Sequence, residues 1–175
     1  MLIISMSFCL IFSSSASSNL QKQKETVETA ELQEQVIEYK VNQKEKNCII
    51  DALYHEARGE GTKGIKAVAS VIQNRTKHPD YPATYCGVIK QRNQFSYTLL
   101  NKPSGKRLER SIDDSEREVY TYISDIAQNM LRGQFKPSLP SSVLWYTSST
   151  VKNHWTSKKQ VVAKVGKHKF YADKA

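Results

Sequence analysis

Hydrophobic residues recur at helical spacing in three stretches of the chain, residues 48–58, 64–75 and 114–131. At 100° per residue, the apolar positions of the first stretch share one face: Ile49, Ala52, Leu53 and Ala57. The second stretch is apolar around most of its circumference, which predicts a helix at the centre of a domain. The expected water-facing positions are Asp51, His55 and Arg58 in the first helix and Lys66, Ser70, Gln73 and Lys77 in the second.

Glycine and capping residues mark the ends of these predicted helices. Gly59 and Gly61 follow the first helix and Gly133 follows the third, as expected for residues that terminate helices. Ser115 and Glu118 have the spacing of a capping box at the start of the third helix.

Short runs rich in β-branched and aromatic residues come after the last predicted helix. Residues 143–146, 161–165 and 169–171 predict short strands. Helices followed by strands predict an α+β fold, a mostly helical domain with a small β-sheet near the C-terminus that flanks a cleft.

Composition changes along the chain and suggests three segments. Residues 1–18 contain a short apolar core followed by small residues, which is typical of a signal peptide cleaved after Ala16 or Ser18. Residues 19–47 are rich in Gln, Glu and Lys and predict a solvated helix or a flexible spacer. Residues 48–175 would form the catalytic domain. The chain has no apolar run long enough to predict a spanning helix.

The chain is basic, with 26 Lys+Arg against 17 Asp+Glu and a formal net charge of +9. Residues 48–175 carry the whole positive excess. Such a surface attracts polyanions, namely nucleic acid, an anionic membrane surface or an anionic cell wall, although a soluble Lys-rich surface gives the same count. The predicted export favours the wall or membrane surface, outside the cytoplasm, and we expect a monomer that does not bind nucleic acid.

Removal of the predicted signal peptide would leave two cysteines, Cys48 and Cys86. In an oxidising compartment such a pair predicts a disulfide; the alternative is two buried free thiols.

Glu56 falls on the apolar side of the first predicted helix, and Glu60 would follow one turn later. A carboxyl on a core-facing stripe either finds a cationic partner or keeps its proton, because desolvating its charge is costly. A protonated carboxyl beside an apolar wall can act as a general acid. The alternative is a structural ion pair of Glu56 or Glu60 with Arg75. We predict that Glu60 pairs with Arg75 and that Glu56 stays free.

Three motifs carry a family resemblance: 54–60 (YHEARGE), 67–75 (AVASVIQNR) and 94–97 (QFSY), supported by the late segment 165–171. Through them the chain resembles the cell-wall hydrolase family that includes the spore-cortex-lytic enzyme SleB, over residues 48 to the C-terminus. The resemblance implies a lysozyme-related fold and cleavage of the MurNAc–GlcNAc bond in the glycan strands of peptidoglycan, usually as a lytic transglycosylase without a cofactor.

The resemblance also implies that Glu56, the first Glu of the motif, is the catalytic acid. It leads us to expect a His-Tyr pair late in the chain, where this sequence has Trp145-Tyr146, so a substrate contact there is expected to differ. One carboxyl suffices for intramolecular attack by a sugar hydroxyl, whereas ordinary glycoside hydrolysis uses two. Glu116, on the stripe of the third helix, is the alternative second carboxyl.

Aromatic and amide side chains outside the helical stripes are candidates for sugar binding, since aromatic rings stack on the apolar faces of sugars. The predicted substrate-binding residues are Gln94, Phe95, Tyr97, Trp145, Tyr146 and Trp155, with Asn153 as a further hydrogen-bonding candidate. The alternative for each aromatic residue is a place in the core.

No metal site is expected. His55-Glu56 matches the start of a zinc-protease His-Glu-x-x-His helix, but Gly59 occupies the position of the second His. The competing functional class is a noncatalytic basic protein that binds the wall or nucleic acid.

Overall fold

The computed structural model describes residues 14–92, 94–100, 102–151 and 153–174. Residues 1–13 of the predicted signal peptide lie outside the described residues. The chain divides into two units, Met1–Val41 and Asn42–Ala175. No described helix combines the length and apolar character needed to cross a membrane.

Helix α1 (Ser14–Ala57) begins in the first unit and ends in the second. In the first unit the exposed apolar residues include Val27, Leu32, Val36 and Tyr39, in keeping with the predicted solvated helix. In the second unit, the predicted apolar face of α1 is buried. Asp51 was expected to face water but is 7% exposed, because the loop before α5 covers it.

Helix α2 (Gly61–Thr76) lies at the centre of the second unit, as predicted. Its residues Ile65, Val68, Val71 and Ile72 have no exposed surface. Part of the expected water-facing strip is also buried, since the segment around Ser138 covers it: Ser138 N donates a hydrogen bond to Ser70 Oγ at 2.8 Å.

Three short helices fill the stretch between α2 and the last long helix. They are α3 (Tyr85–Ile89), α4 (Ser96–Leu99) and α5 (Lys106–Ser111). Thr84 Oγ1 caps α3 by accepting a hydrogen bond from Gly87 N. The predicted disulfide between Cys48 and Cys86 is present and ties α3 to α1.

Helix α6 (Arg117–Leu131) is the last helix, and its C-terminus ends as predicted. Gly133 adopts φ 68°, and the bonds Gly133 N to Met130 O and Gln134 N to Asn129 O form a Schellman motif. The predicted capping box is wrong: Asp113 Oδ1 accepts the hydrogen bonds from Ser115 Oγ and Glu116 N.

Three strands form an antiparallel sheet: β1 (Trp145–Ser148), β2 (Lys159–Val165) and β3 (His168–Asp173), in the order β1-β3-β2. Tyr146 pairs with Phe170, and Trp145 pairs with Tyr171. Because side chains alternate along a strand, the first pair faces the core and the second pair faces the opposite side. The α+β prediction, with its small C-terminal sheet, is confirmed.

Candidate functional site

Glu56 lies in the last turn of α1, just before a 3₁₀ turn at Arg58–Glu60. Its side chain is half-buried. Ser96 Oγ donates a long hydrogen bond of 3.4 Å to Glu56 Oε1. The backbone amides of Ser96 and Tyr97 and the ammonium group of Lys102 also stabilise its negative charge.

Burial raises the pKa of Glu56 above its ordinary value, against the opposing effect of these donors. The guanidinium groups of Arg58 and Arg75 have other partners. Arg58 Nε pairs with Glu116 Oε1 at 2.9 Å, and Arg75 Nε donates to Leu144 O at 2.7 Å. Glu56 is therefore a partly dry carboxyl without a described ion-pair partner, which is the state a general acid requires.

Two tyrosines interact electrostatically with this carboxyl, namely Tyr97, which is buried, and Tyr146, which is half-buried. Burial, followed by the charge of Glu56, raises the pKa of Tyr146. Burial and the charges of Asp51 and Glu56 raise the pKa of Tyr97. Among the described residues, the buried atoms Tyr146 Oη and Arg75 Nη1 have no hydrogen-bond partner. Unsatisfied buried polar groups of this kind are rare and costly, and they often occur at functional sites.

Asp51 and His55 fasten a loop beside Glu56. Asp51 Oδ1 accepts a hydrogen bond of 2.9 Å from Gly105 N, and His55 Nε2 donates one of 2.7 Å to Pro103 O. The same loop carries Lys102, whose charge acts on Glu56. No role for this pair is predicted from the sequence. Their spacing of four residues on one helical face was the available signal.

The predicted ion pair between Glu60 and Arg75 is wrong. Glu60 Oε2 instead accepts a hydrogen bond of 2.6 Å from Lys167 N, in the turn between β2 and β3. Arg75 is 4% exposed and uses a backbone carbonyl and the Tyr81 ring, whose centroid lies 5.3 Å from its guanidinium carbon. These partners come from the β2–β3 turn, from the residue before β1 and from the loop after α2, none of which sequence spacing could position.

The predicted substrate-binding residues from 94 to 97 differ in accessibility. Gln94 is exposed and can reach a ligand. Phe95 has no exposed surface, so its prediction as a sugar-stacking residue is wrong and it belongs to the core. Tyr97 stacks on His55 at a centroid distance of 4.8 Å and is 7% exposed.

The late aromatic residues fall on two faces of the sheet. Tyr146 lies on the core side, stacked on Phe170 at 5.8 Å. Trp145 lies on the opposite side beneath Lys159 Nζ, 3.4 Å from the ring centroid. Trp155 packs edge-on against Tyr171, the residue opposite Trp145. The structure therefore brings Tyr146 to Glu56 and separates Trp145 and Trp155 from it.

The other candidates are engaged elsewhere. Glu116 accepts hydrogen bonds from Tyr54 Oη and Arg58 Nε, so it acts as a structural partner of α1. Asn153 Nδ2 donates to Thr147 Oγ1 at 3.0 Å. In the part of the chain that the structure describes, no three His, Cys, Asp or Glu residues are grouped to hold a metal ion.

Comparison with solved structures finds proteins of similar fold. The chain is similar to the catalytic domain of the germination-specific lytic transglycosylase SleB from Bacillus anthracis, with 23% identity and a TM-score of 0.54. That alignment covers 73% of this chain and 93% of the other. The catalytic domain of the Bacillus cereus SleB protein matches with 23% identity and a TM-score of 0.53, over 73% and 88% of the two chains. No curated protein matches the chain.

A sequence comparison identifies the family. Residues 59–171 match the profile of a family described as Cell Wall Hydrolase, which is well over half of the 175-residue chain. The matched range begins just after Glu56 and includes Glu60, β1, β2 and most of β3. The chain therefore belongs to the cell wall hydrolase family and is an enzyme of that class.

Proposed function

We propose that this enzyme is an exported lytic transglycosylase that cleaves the MurNAc–GlcNAc bond of peptidoglycan with Glu56 as its single catalytic carboxyl. The observation that carries the proposal is the state of Glu56, half-buried, with a raised pKa and without a described ion-pair partner. The likeness to two SleB catalytic domains, one of them from a lytic transglycosylase, supports the reaction type.

In the first step, protonated Glu56 gives its proton to the glycosidic oxygen, and the bond from that oxygen to the anomeric carbon breaks. Positive charge develops on the sugar as an oxocarbenium-like centre. The newly formed Glu56 carboxylate stabilises this charge. Because its surroundings keep Glu56 protonated before the reaction, its carboxyl can donate the proton to the leaving oxygen.

In the second step, the same carboxylate takes the proton of the sugar's own 6-hydroxyl while the hydroxyl oxygen attacks the anomeric carbon. A 1,6-anhydro ring forms and Glu56 regains its proton. An attacking group within the same molecule has a high effective concentration, so an activated water is not required.

The engagement of the other nearby carboxyls supports a one-carboxyl mechanism. Asp51 accepts hydrogen bonds from Gly105 N, Glu60 from Lys167 N, and Glu116 from Arg58 and Tyr54. Each of these three carboxyls is engaged in hydrogen bonds within the protein. Glu56 accepts a long bond of 3.4 Å from Ser96 Oγ and interacts with the backbone amides of Ser96 and Tyr97, yet these donors do not offset burial, and its pKa stays raised.

Replacement of this carboxyl tests the assignment. Glu56→Gln should lower the rate of clearing of purified sacculi by at least about a hundredfold, because the amide cannot donate a proton as an acid does. Glu60→Gln is the matched control: it lies in the same motif and should reduce thermal stability without abolishing turnover. If the Glu56 variant clears sacculi as fast as the parent enzyme, the assignment is wrong.

Mass spectrometry of the released fragments identifies the reaction. Anhydro ends are expected from transglycosylation, and reducing ends would instead mean that water attacks, as in hydrolysis.

A further inference from the structure

We propose that a lysine-lined cavity beside the β2–β3 turn binds the carboxylates of the peptide stems attached to the glycan strand. The inference rests on the proposed function, because it assigns a second contact to the same polymer. The cavity has a volume of about 390 Å³, and its wall includes Lys63, Lys66, Ser138, Leu139, Lys164 and Val165. This volume lies in the range of small-ligand sites.

The side chains that line the cavity carry charge of one sign, and the nearest carboxylate, that of Glu60 against Gly166, already accepts a hydrogen bond from Lys167 N. The seven described residues that line it include three lysines and no Asp or Glu. Within the described chain, none of these three lysines has a carboxylate within 4.0 Å. Three flexible ammonium groups around one cavity concentrate positive potential and favour an anionic ligand.

The sheet adds to this charge instead of reducing it. Lys164 pairs in register with Lys169 of β3, and like charges directly opposite each other cost stability. β2 is an edge strand of the sheet. A bound carboxylate would relieve the repulsion at this edge.

The cavity also has apolar surface. Leu139 and Val165 line it together with the lysines. A peptide offers both carboxylates and aliphatic side chains, whereas a phosphodiester polymer offers charge alone. The combination therefore favours a peptide stem over other anionic wall components.

Its position links the cavity to Glu56. Gly166 lines the cavity and belongs to the turn whose next residue, Lys167, bonds to Glu60. Glu60 follows Glu56 by four residues, or about 6–8 Å along a helical segment. A glycan strand held at Glu56 can thus place a peptide stem beside the turn.

Neutralising the lysines at constant length tests the proposal. The cavity variant carries Lys63→Gln, Lys66→Gln and Lys164→Gln. The matched control carries Lys77→Gln, Lys106→Gln and Lys158→Gln, which removes the same charge from exposed positions outside the cavity. On sacculi that carry stems but no phosphodiester polymer, the cavity variant should show a KM raised about tenfold with kcat unchanged, and the control a change below about twofold.

A substrate without stems completes the test. On glycan strands from which an amidase has removed the peptides, the cavity variant and the control should have equal KM values. Equal KM values of the cavity variant and the control on stem-bearing sacculi would overturn the inference. A raised KM of the cavity variant that persists on stem-free strands, or that occurs only on walls with phosphodiester polymers, would overturn it as well.

Calorimetric binding of an isolated stem peptide separates this inference from the proposed function, because it does not need catalysis. The parent enzyme should bind the peptide about tenfold more tightly than the cavity variant, whether or not Glu56→Gln abolishes cleavage. Equal binding by the two proteins would overturn the inference and leave the proposed function intact.

Discussion

Asp51 and Glu56, two carboxyls near the end of α1, have raised pKa values for the same reason. The consequences differ between the two. Burial is the largest cause in both. Asp51 is held by the amide of Gly105, so its charge state affects the stability of a loop. Glu56 interacts with Ser96 and with the amide of Tyr97, but burial still raises its pKa, so its proton is available for chemistry.

Replacing Asp51 by Asn should change how stability depends on pH. Burial raises the pKa of Asp51 from 3.8 to about 6, so the folded protein holds this proton more tightly than the unfolded chain. The resulting stabilisation is complete below pH 3.8 and is lost as the pH rises through about 6. Asp51→Asn keeps an acceptor for Gly105 N and lacks the charge, so it should gain about 1–2 kcal/mol relative to the parent between pH 4 and 7.

Urea unfolding at the two pH values measures this gain. Asp125→Asn, at an exposed position, is the control and should show little change in its difference from the parent. A constant difference for the Asp51 variant across the same pH range would contradict the prediction.

At the scale of secondary-structure elements, the features that depend on local periodicity could be predicted from the sequence. The apolar face of α1, the central helix α2 and the three strands follow from side-chain spacing. The covering of one element by another does not, because it depends on distant segments. Ser70 is buried by the segment at Ser138, and Phe95 enters the core although its neighbours Gln94 and Ser96 are exposed.

The Cys48–Cys86 disulfide joins α1 to α3 across 38 residues of sequence. Its removal should lower the free energy of unfolding by about 3–4 kcal/mol, since the unfolded chain regains the entropy of an open loop. The Cys48→Ser, Cys86→Ser double variant in urea measures this loss, and the parent enzyme with its disulfide reduced should match it. A loss below about 1 kcal/mol would contradict the prediction.

At the scale of the whole molecule, the buried core cluster lies entirely within the second unit, between Cys48 and Phe170. We therefore expect a fragment of residues 42–175 to fold by itself and to cleave sacculi at about the rate of the full chain. Its melting temperature should lie within about 4 °C of the full chain, which corresponds to roughly 1 kcal/mol or less.

Thermal unfolding followed by circular dichroism tests the fragment. A second fragment, residues 61–175, is the control: it lacks the buried turns of α1 as well as Glu56, and it should not fold. Failure of the longer fragment to fold would mean that the first unit is needed for stability.

The bond from Lys167 N to Glu60 Oε2 closes a span of 107 residues. Ribosomes complete the N-terminal part of a chain first, and contacts between distant positions form late. The end of α1 that bears Glu56 therefore lacks this restraint until the final hairpin has been made. In a nascent or prematurely terminated chain, the proposed acid would lie at a helix end that lacks this hydrogen bond. The complete active site should therefore form only after the last residues of the hairpin have been synthesised.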